Sequence, residues 1–136
     1  MSSSDRRQGR LFVVSGPSGA GKGTLINSIL PRLKDTYLSV SATTRPMRKG
    51  EQQGREYFFL SPEEFEERIN QGEFLEHVDY SSNRYGTLRS EVEKSLVDGK
   101  NVILEVDLKG ALEVRRQMTA AVLVFVAPPQ FEELER

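Results

Sequence analysis

A short apolar run, Leu11-Phe12-Val13-Val14-Ser15, leads directly into Gly16-Pro17-Ser18-Gly19-Ala20-Gly21-Lys22-Gly23-Thr24. Apolar residues at helical spacing follow: Leu25, Ile26, Ile29, Leu30 and Leu33. Nothing else in the chain restricts the fold as tightly. The run is short and β-rich, as a strand buried on both faces is. The glycines let the backbone curl so that several N–H groups converge on one anion, and the next helix turns its partly positive N-terminus toward the same point. The segment therefore reads as a phosphate-binding loop, with every residue from Gly16 to Thr24 assigned to a nucleotide triphosphate and Lys22 able to reach the β- and γ-phosphates. The residue after Lys22 is Gly23, where the strict pattern has a hydroxyl, and Thr24 supplies one a position later. Mg²⁺ is therefore expected to be held mainly through nucleotide phosphates and water. The glycine spacing, and the lack of an acidic residue ending Tyr37–Val40, argue against a dinucleotide turn.

The rest of the chain repeats the strand-then-helix rhythm. Pro31 should tighten or end the first helix, and Tyr37–Val40 is a second short strand. Ser61-Pro62-Glu63-Glu64 is a helix start with a cap, a proline at the first helical position and a capping box. Phe65 and Ile69 face inward from that helix and Gly72 stops it. Phe74–Tyr80 is extended. Thr87 is expected to open another helix, with Leu88, Val92 and Leu96 inward and Gly99 at its end. Asn101–Val106 is a second buried strand, Leu108–Met118 a helix, and Ala121–Val126 a third buried strand stopped by Pro128-Pro129. Alternation of this kind predicts an α/β fold, a parallel sheet flanked by helices. Residues 37–86 break the rhythm and read as a small strand-rich insertion over the sheet's edge. The expected layout is a solvated tail over 1–8, bearing Arg6 and Arg7, and a domain over 9–136 whose core is 9–36 and 87–136.

Composition bounds the chemistry. The 136 residues suit one domain, and an apolar content of 37% with 11 glycines suits a packed core rather than disorder. Nineteen basic residues against 20 acidic ones argue against a globally basic nucleic-acid or membrane binder. With no cysteine and a single histidine, disulfides, thiol nucleophiles and multi-histidine metal sites are excluded. No apolar stretch suits a signal peptide or a membrane span, so a cytoplasmic protein is expected. His77 reads as structural or exposed.

Thr43-Thr44-Arg45-Pro46-Met47-Arg48-Lys49-Gly50-Glu51 packs three cations into five residues, with Arg55 and Tyr57 close behind. Arg45 and Arg48 lie on either side of Pro46 and can converge on one small anion, since guanidinium forks match phosphate oxygens. Near a phosphate loop in a chain of −1 net charge, such clustering points to an acceptor phosphate.

With this block the chain resembles the guanylate kinase family. The resemblance rests on Gly16–Lys22, Ser41 through Tyr57-Phe58-Phe59, Gly72-Glu73-Phe74-Leu75-Glu76, Tyr85-Gly86-Thr87 and Val102–Gly110, and runs from about Gly9 to the end of the chain. It implies a P-loop kinase that uses ATP to phosphorylate GMP, and dGMP, by in-line transfer, a transferase of purine metabolism. Carried over residue by residue, Arg45, Arg48, Tyr57 and Tyr85 match positions that hold the GMP phosphate. Ser41, Glu76, Thr87 and Asp107 match positions that read guanine, with Gly86 beside them. Guanine offers N–H donors at N1 and N2 and an acceptor at O6, which suits a carboxylate and hydroxyls. Asp107 alone reads equally as a strand-end cap, and Glu105 as the partner of a neighbouring cation. Lys22, Arg45 and Arg48 are the expected catalytic cations.

The resemblance also implies that the family continues beyond Arg136 with an arginine-bearing lid, a strand and helices. Gln130–Arg136 reads as a helix leading there, and a chain ending at Arg136 is expected to turn over poorly. Two rivals stand beside the kinase reading. A non-catalytic guanylate-kinase-like module that binds phosphorylated proteins fits poorly with the intact loop. Another nucleoside monophosphate kinase, suggested by Gly21-Lys22-Gly23-Thr24, fits poorly with the Ser41–Tyr57 block.

Overall fold

The computed structural model describes residues 8–17 and 21–127. Ser18, Gly19, Ala20, the Pro128-Pro129 stop and the Gln130–Arg136 helix therefore lie outside the described residues. The chain order is β1 (Leu11–Ser15), α1 (Lys22–Ile29), β2 (Thr36–Leu38), β3 (Ala42–Thr43), β4 (Phe58–Phe59), α2 (Pro62–Asn70), β5 (Phe74–Tyr80), β6 (Asn83–Leu88), α3 (Arg89–Val97), β7 (Asn101–Glu105), α4 (Leu108–Gln117) and β8 (Val122–Phe125).

Four strands form a parallel sheet in the order β2-β7-β1-β8. Phe12 sits opposite Ile103 on one side and Val122 on the other, so the two most buried strands, β1 and β7, occupy the middle. Helices cover both faces, as an all-parallel sheet requires. On one face Val92 and Leu96 of α3 and Ala111 and Val114 of α4 pack with Val13 and Leu104. On the other, Ile26 of α1 packs with Val14 and Ile103. The expected α/β class and parallel sheet are what the chain adopts. Among the described residues no helix is long and apolar enough to cross a membrane.

A second sheet, in the order β4-β3-β6-β5, is built from residues 42–88 and is antiparallel except where β3 meets β4. Its own small core joins Ala42, Phe74 and Leu88 to Phe65 of α2. Phe65 and Phe74 stack with centroids 4.4 Å apart. The α2 start is as read: Ser61 accepts from the Glu64 amide, and the Glu64 carboxylate accepts from the Ser61 amide. Ser61 is the donor that holds the Glu64 carboxyl below the ordinary range.

Two expectations need correction. Thr87 and Leu88 do not open a helix; they end β6, and the helix begins at Arg89 with no side-chain cap. Pairing with β5 outweighs the helical spacing of Leu88, Val92 and Leu96. As expected of Pro31, the first helix ends at Ile29 and tightens into a 3₁₀ turn over Leu30-Pro31-Arg32, because proline cannot donate into the helix interior. Leu25 and Leu33 are exposed, since α1 touches the sheet mainly through Ile26. Ala121–Val126 is not the expected third buried strand. Among the described residues its strand lies at the sheet's edge, where Val122, Val124 and Phe125 are exposed.

Candidate functional site

The carboxyl ends of β1, β7 and β8 meet around the glycine-rich turn. Ligands of open α/β sheets bind at that edge, beside the strand where the order reverses. Gly21 has φ +94°, a left-handed value that favours glycine, and caps α1. A side chain at Gly16 would run into the Val126 carbonyl, so β8 forms one wall of the turn. Glu105 forms another: its Oε2 lies 3.7 Å from where a Gly23 side chain would begin. No acidic residue occupies the first turn of α1, which leaves its free amides available to an anion. Lys22 Nζ donates to the Gly16 carbonyl at 2.8 Å and so bridges the turn. Thr24 is exposed on the first turn of α1.

The basic block is built around Arg45. Thr43, fully buried on β3, donates to the Arg84 carbonyl at 3.0 Å and accepts from the Arg45 amide at 3.1 Å. That bond fixes the departure of the chain from β3. Arg45 is only 8% exposed, an unusual position for an arginine. Its guanidinium donates through both terminal nitrogens to Glu51, at 3.0 and 2.8 Å, and also to the Pro46 carbonyl at 3.0 Å. It lies 5.0 Å from the Tyr57 ring centre and 5.6 Å from that of Phe59. The Glu51 bond pushes Arg45 up, and Arg45 first, then the Arg48 amide, holds the Glu51 carboxyl below the usual range. Tyr57 and Tyr85 meet edge to face at 5.8 Å, so three of the four expected phosphate-holding residues, Arg45, Tyr57 and Tyr85, form one cluster. Arg48 is the exception. Only its backbone joins Glu51, and its side chain is exposed.

Between the two sheets lies a cleft of about 230 Å³. Ser41, Tyr57 and Thr87 line it from the second sheet's side, and Leu104 and Glu105 from β7. Thr87, 2% exposed, donates to Glu76 Oε2 at 2.8 Å, which sets a buried carboxylate directly behind the cleft. Burial pushes the Glu76 carboxyl up, the Thr87 bond pulls it back, and the charge on Asp107 raises it further. Asp107 caps α4 by accepting from the Gly110 amide at 2.7 Å. A side chain at Gly110 would begin 3.1 Å from both Asp107 Oδ1 and Glu76 Oε1, so glycine there lets the two carboxyls close on one point. Gly86 serves packing: a Cβ would lie 2.8 Å from the Phe74 ring. Glu76 and Asp107 also border a groove of about 690 Å³ between β5 and α4. The structure thus gathers Ser41, Tyr57 and Thr87, and separately Glu76, Thr87 and Asp107, with Thr87 common to both.

Three participants were not singled out from the sequence. Glu51 stood within the basic block without a role, although an acid six residues after an arginine was there to be noticed. Glu56, which lines the cleft, accepts from the Gln52 amide and then from Arg55, which hold its carboxyl below the usual range. Gly110 carries no sequence signal beyond being a glycine within a helix.

The family model for guanylate kinase matches residues 8–136. The guanylate kinase of Rubrobacter xylanophilus is 55% identical over 130 residues, which cover 96% of this chain and 68% of that protein. That of Clostridium perfringens strain SM101 is 52% identical over 129 residues, covering 95% of this chain and 60% of the relative. A crystal structure of guanylate kinase from Anaplasma phagocytophilum superposes with a TM-score of 0.68 at 36% identity, over 96% of this chain and 66% of that one. The chain spans 60% of the length of the Clostridium relative. A family model that runs through both sheets, with sequence identity near one half across almost the whole chain, leaves one assignment: the chain belongs to the guanylate kinase family.

Proposed function

We propose that this chain carries the acceptor site and the phosphate loop of an enzyme that transfers the γ-phosphoryl group of ATP to GMP or dGMP. The observation that carries this reading is the buried Glu76–Thr87 pair behind a cleft lined by Tyr57, against whose ring Arg45 and Tyr85 pack. Glu76 accepts the guanine N1 and N2 hydrogens while Thr87 spends its one hydroxyl proton on the same carboxylate, Asp107 adds a second acceptor beside it, and the Ser41 hydroxyl donates toward O6. Adenine presents the opposite polarity and leaves these groups unpaired, which selects steeply against it. Arg45 uses its remaining N–H groups on the acceptor phosphate while Glu51 holds the fork in place, and the exposed Arg48 closes from the same loop. Tyr57 and Tyr85 donate their hydroxyls to that phosphate.

In the reaction an oxygen of the GMP phosphate attacks the γ-phosphorus. The new P–O bond forms as the β,γ-bridging P–O bond breaks, and ADP leaves with that electron pair. The attacking oxygen is already anionic, so no general base is needed. Lys22, now bridging to Gly16, turns its ammonium to the β- and γ-phosphates, and the free amides at the start of α1 face the same anion. The oxygen donors beside the turn, Glu105 and Thr24, suit a hard cation, and a Mg²⁺ ion there, held mainly through nucleotide phosphates and water, would supply charge neutralisation. The soluble nucleotide pool is where both substrates occur, and we place the protein in the cytoplasm with them.

Calorimetric titration of the chain with GMP and with AMP tests the acceptor reading. GMP should bind at least about tenfold more tightly than AMP. Equal binding of the two nucleotides, or binding of AMP alone, would overturn it. Binding is the proper measurement, because it reads the acceptor site without requiring the rest of a longer relative.

A further inference from the structure

The position of Glu76 depends on an irregularity in β5. Phe74 pairs with Leu88 of β6, but Glu76 pairs with Thr87, so β5 carries one residue more than its partner between these two rungs. Leu75 is that residue, and the ladder is broken around it. The bulge sends three consecutive side chains into three different buried environments. Phe74 enters the small core under α2, Leu75 enters the main core, and Glu76 reaches Thr87 behind the cleft. In a regular strand successive side chains alternate between faces, and a slip of one residue would turn Glu76 away from Thr87.

A bulge leaves backbone groups without ladder partners, and buried carbonyls need donors. Here the donor comes from another element. One N–H of the Gln117 side-chain amide, on the last turn of α4, is shared between the Leu75 carbonyl at 3.0 Å and the Phe74 carbonyl at 3.3 Å. The same nitrogen lies 2.8 Å from Glu113 Oε2, and the Gln117 oxygen accepts from Arg89 at the start of α3. Glu113 is itself gripped by Arg116 and then by Gln117, which lower its carboxyl to about 2. Gln117 is thus the tie between α4, α3 and the bulge, and α4 also begins with Asp107 beside Glu76.

We infer that Gln117 is a positioning residue for guanine recognition: its amide holds the Phe74–Leu75 bulge and so aims Glu76 at the cleft. This rests on the guanine reading above for its functional consequence, but the positioning itself does not. The experiment uses Gln117→Met, which has nearly the same shape and no donors, and Gln117→Glu, which keeps an acceptor for Arg89 but cannot donate to the bulge. Each is compared with the wild-type chain for binding of GMP and of inosine monophosphate, which lacks the guanine 2-amino group. The wild type should prefer GMP by about tenfold or more, and both variants should fall to about threefold or less through weaker GMP binding. In parallel, the titration of the Glu76 carboxyl, followed by ¹³C NMR, should move toward the ordinary carboxylate range in both variants. A role in helix packing alone would lower the melting temperature and leave the nucleotide ratio and the Glu76 titration unchanged, and that result would overturn the inference. Should the wild type bind neither nucleotide, the guanine reading falls, and the Glu76 titration alone then decides whether Gln117 positions it. Should Gln117→Met fail to fold, Gln117→Glu carries the same test.

Discussion

At the scale of single residues, the site is a set of charged groups kept out of water by partners chosen for them. Arg45 is buried and paired, and Glu51 answers it with both oxygens. Glu76 is the less comfortable case. It is 8% exposed, its hydrogen bonds come from the uncharged Thr87, and a second carboxylate stands close by. A carboxyl whose folded value is raised contributes stability that is fully present below its unfolded value, and loses it as pH rises through the folded value. Over that window the protein carries an increasingly charged, buried group. Glu76→Gln removes the charge, keeps an acceptor for Thr87 and offers an N–H toward Asp107. The variant should therefore melt higher than the wild type at pH 7, by about 3 °C for each kcal/mol of burial cost relieved. The gap should close as pH falls toward the unfolded carboxylate value. Melting curves of both proteins between pH 4 and pH 8 check this, and a gap that is absent at pH 7 or widens in acid contradicts it. The same variant should lose GMP selectivity, a trade of binding against stability.

At the scale of elements, what was legible in the sequence is what local chemistry dictates. The loop between β1 and α1, the capping box of α2 and the apolar run of β7 each follow from neighbouring residues. β6 was not legible, because Asn83-Arg84-Tyr85-Gly86-Thr87-Leu88 is a polar segment that becomes a strand only by pairing with β3 and β5. Nor was the partner of Arg45, or the dependence of the β5 bulge on Gln117, since both depend on where distant or unpaired groups come to rest. Asp107 shows how the two levels overlap, for the sequence left open whether it caps a helix or faces a ligand. In the structure it caps α4, and the same carboxyl raises Glu76. Substitution separates these roles. Asp107→Asn keeps an acceptor for the Gly110 amide and removes the charge, so stability should stay within about 0.5 kcal/mol of wild type or rise. Asp107→Ala removes the cap and should cost about 1 kcal/mol. Urea unfolding of the two variants distinguishes them; equal losses would mean that the charge, not the cap, supports α4.

At the scale of the whole molecule, the parallel sheet is unevenly protected. Its middle strands carry the buried residues of both faces, whereas the outer ones do not: Val13 is fully buried and Val124 is 37% exposed. The two edges differ in how they meet solvent. At β2 the Lys100 ammonium sits 5.0 Å from the Tyr37 ring centre, and Lys34 and Asp35 lie just before the strand. At β8 the eight residues Ala120-Ala121-Val122-Leu123-Val124-Phe125-Val126-Ala127 carry no charge and no proline. Among the described residues β8 pairs only with β1. An uncharged, β-branched strand with one unpaired edge is a template for other chains. The consequence is a split between stability and solubility that two substitutions expose. Leu104→Ala, at 2% exposure in the central β7, opens a cavity and should cost about 2–5 kcal/mol. Val124→Lys forfeits only part of an already exposed side chain and places a charge on the edge, so it should cost less than about 1 kcal/mol. Yet light scattering of concentrated samples held below the melting temperature should drop with Val124→Lys and rise with Leu104→Ala, because one guards the edge and the other populates opened states. If Val124→Lys scatters like the wild type while destabilising as much as Leu104→Ala, β8 is as much a part of the core as its apolar sequence suggests, and the edge is not what limits solubility.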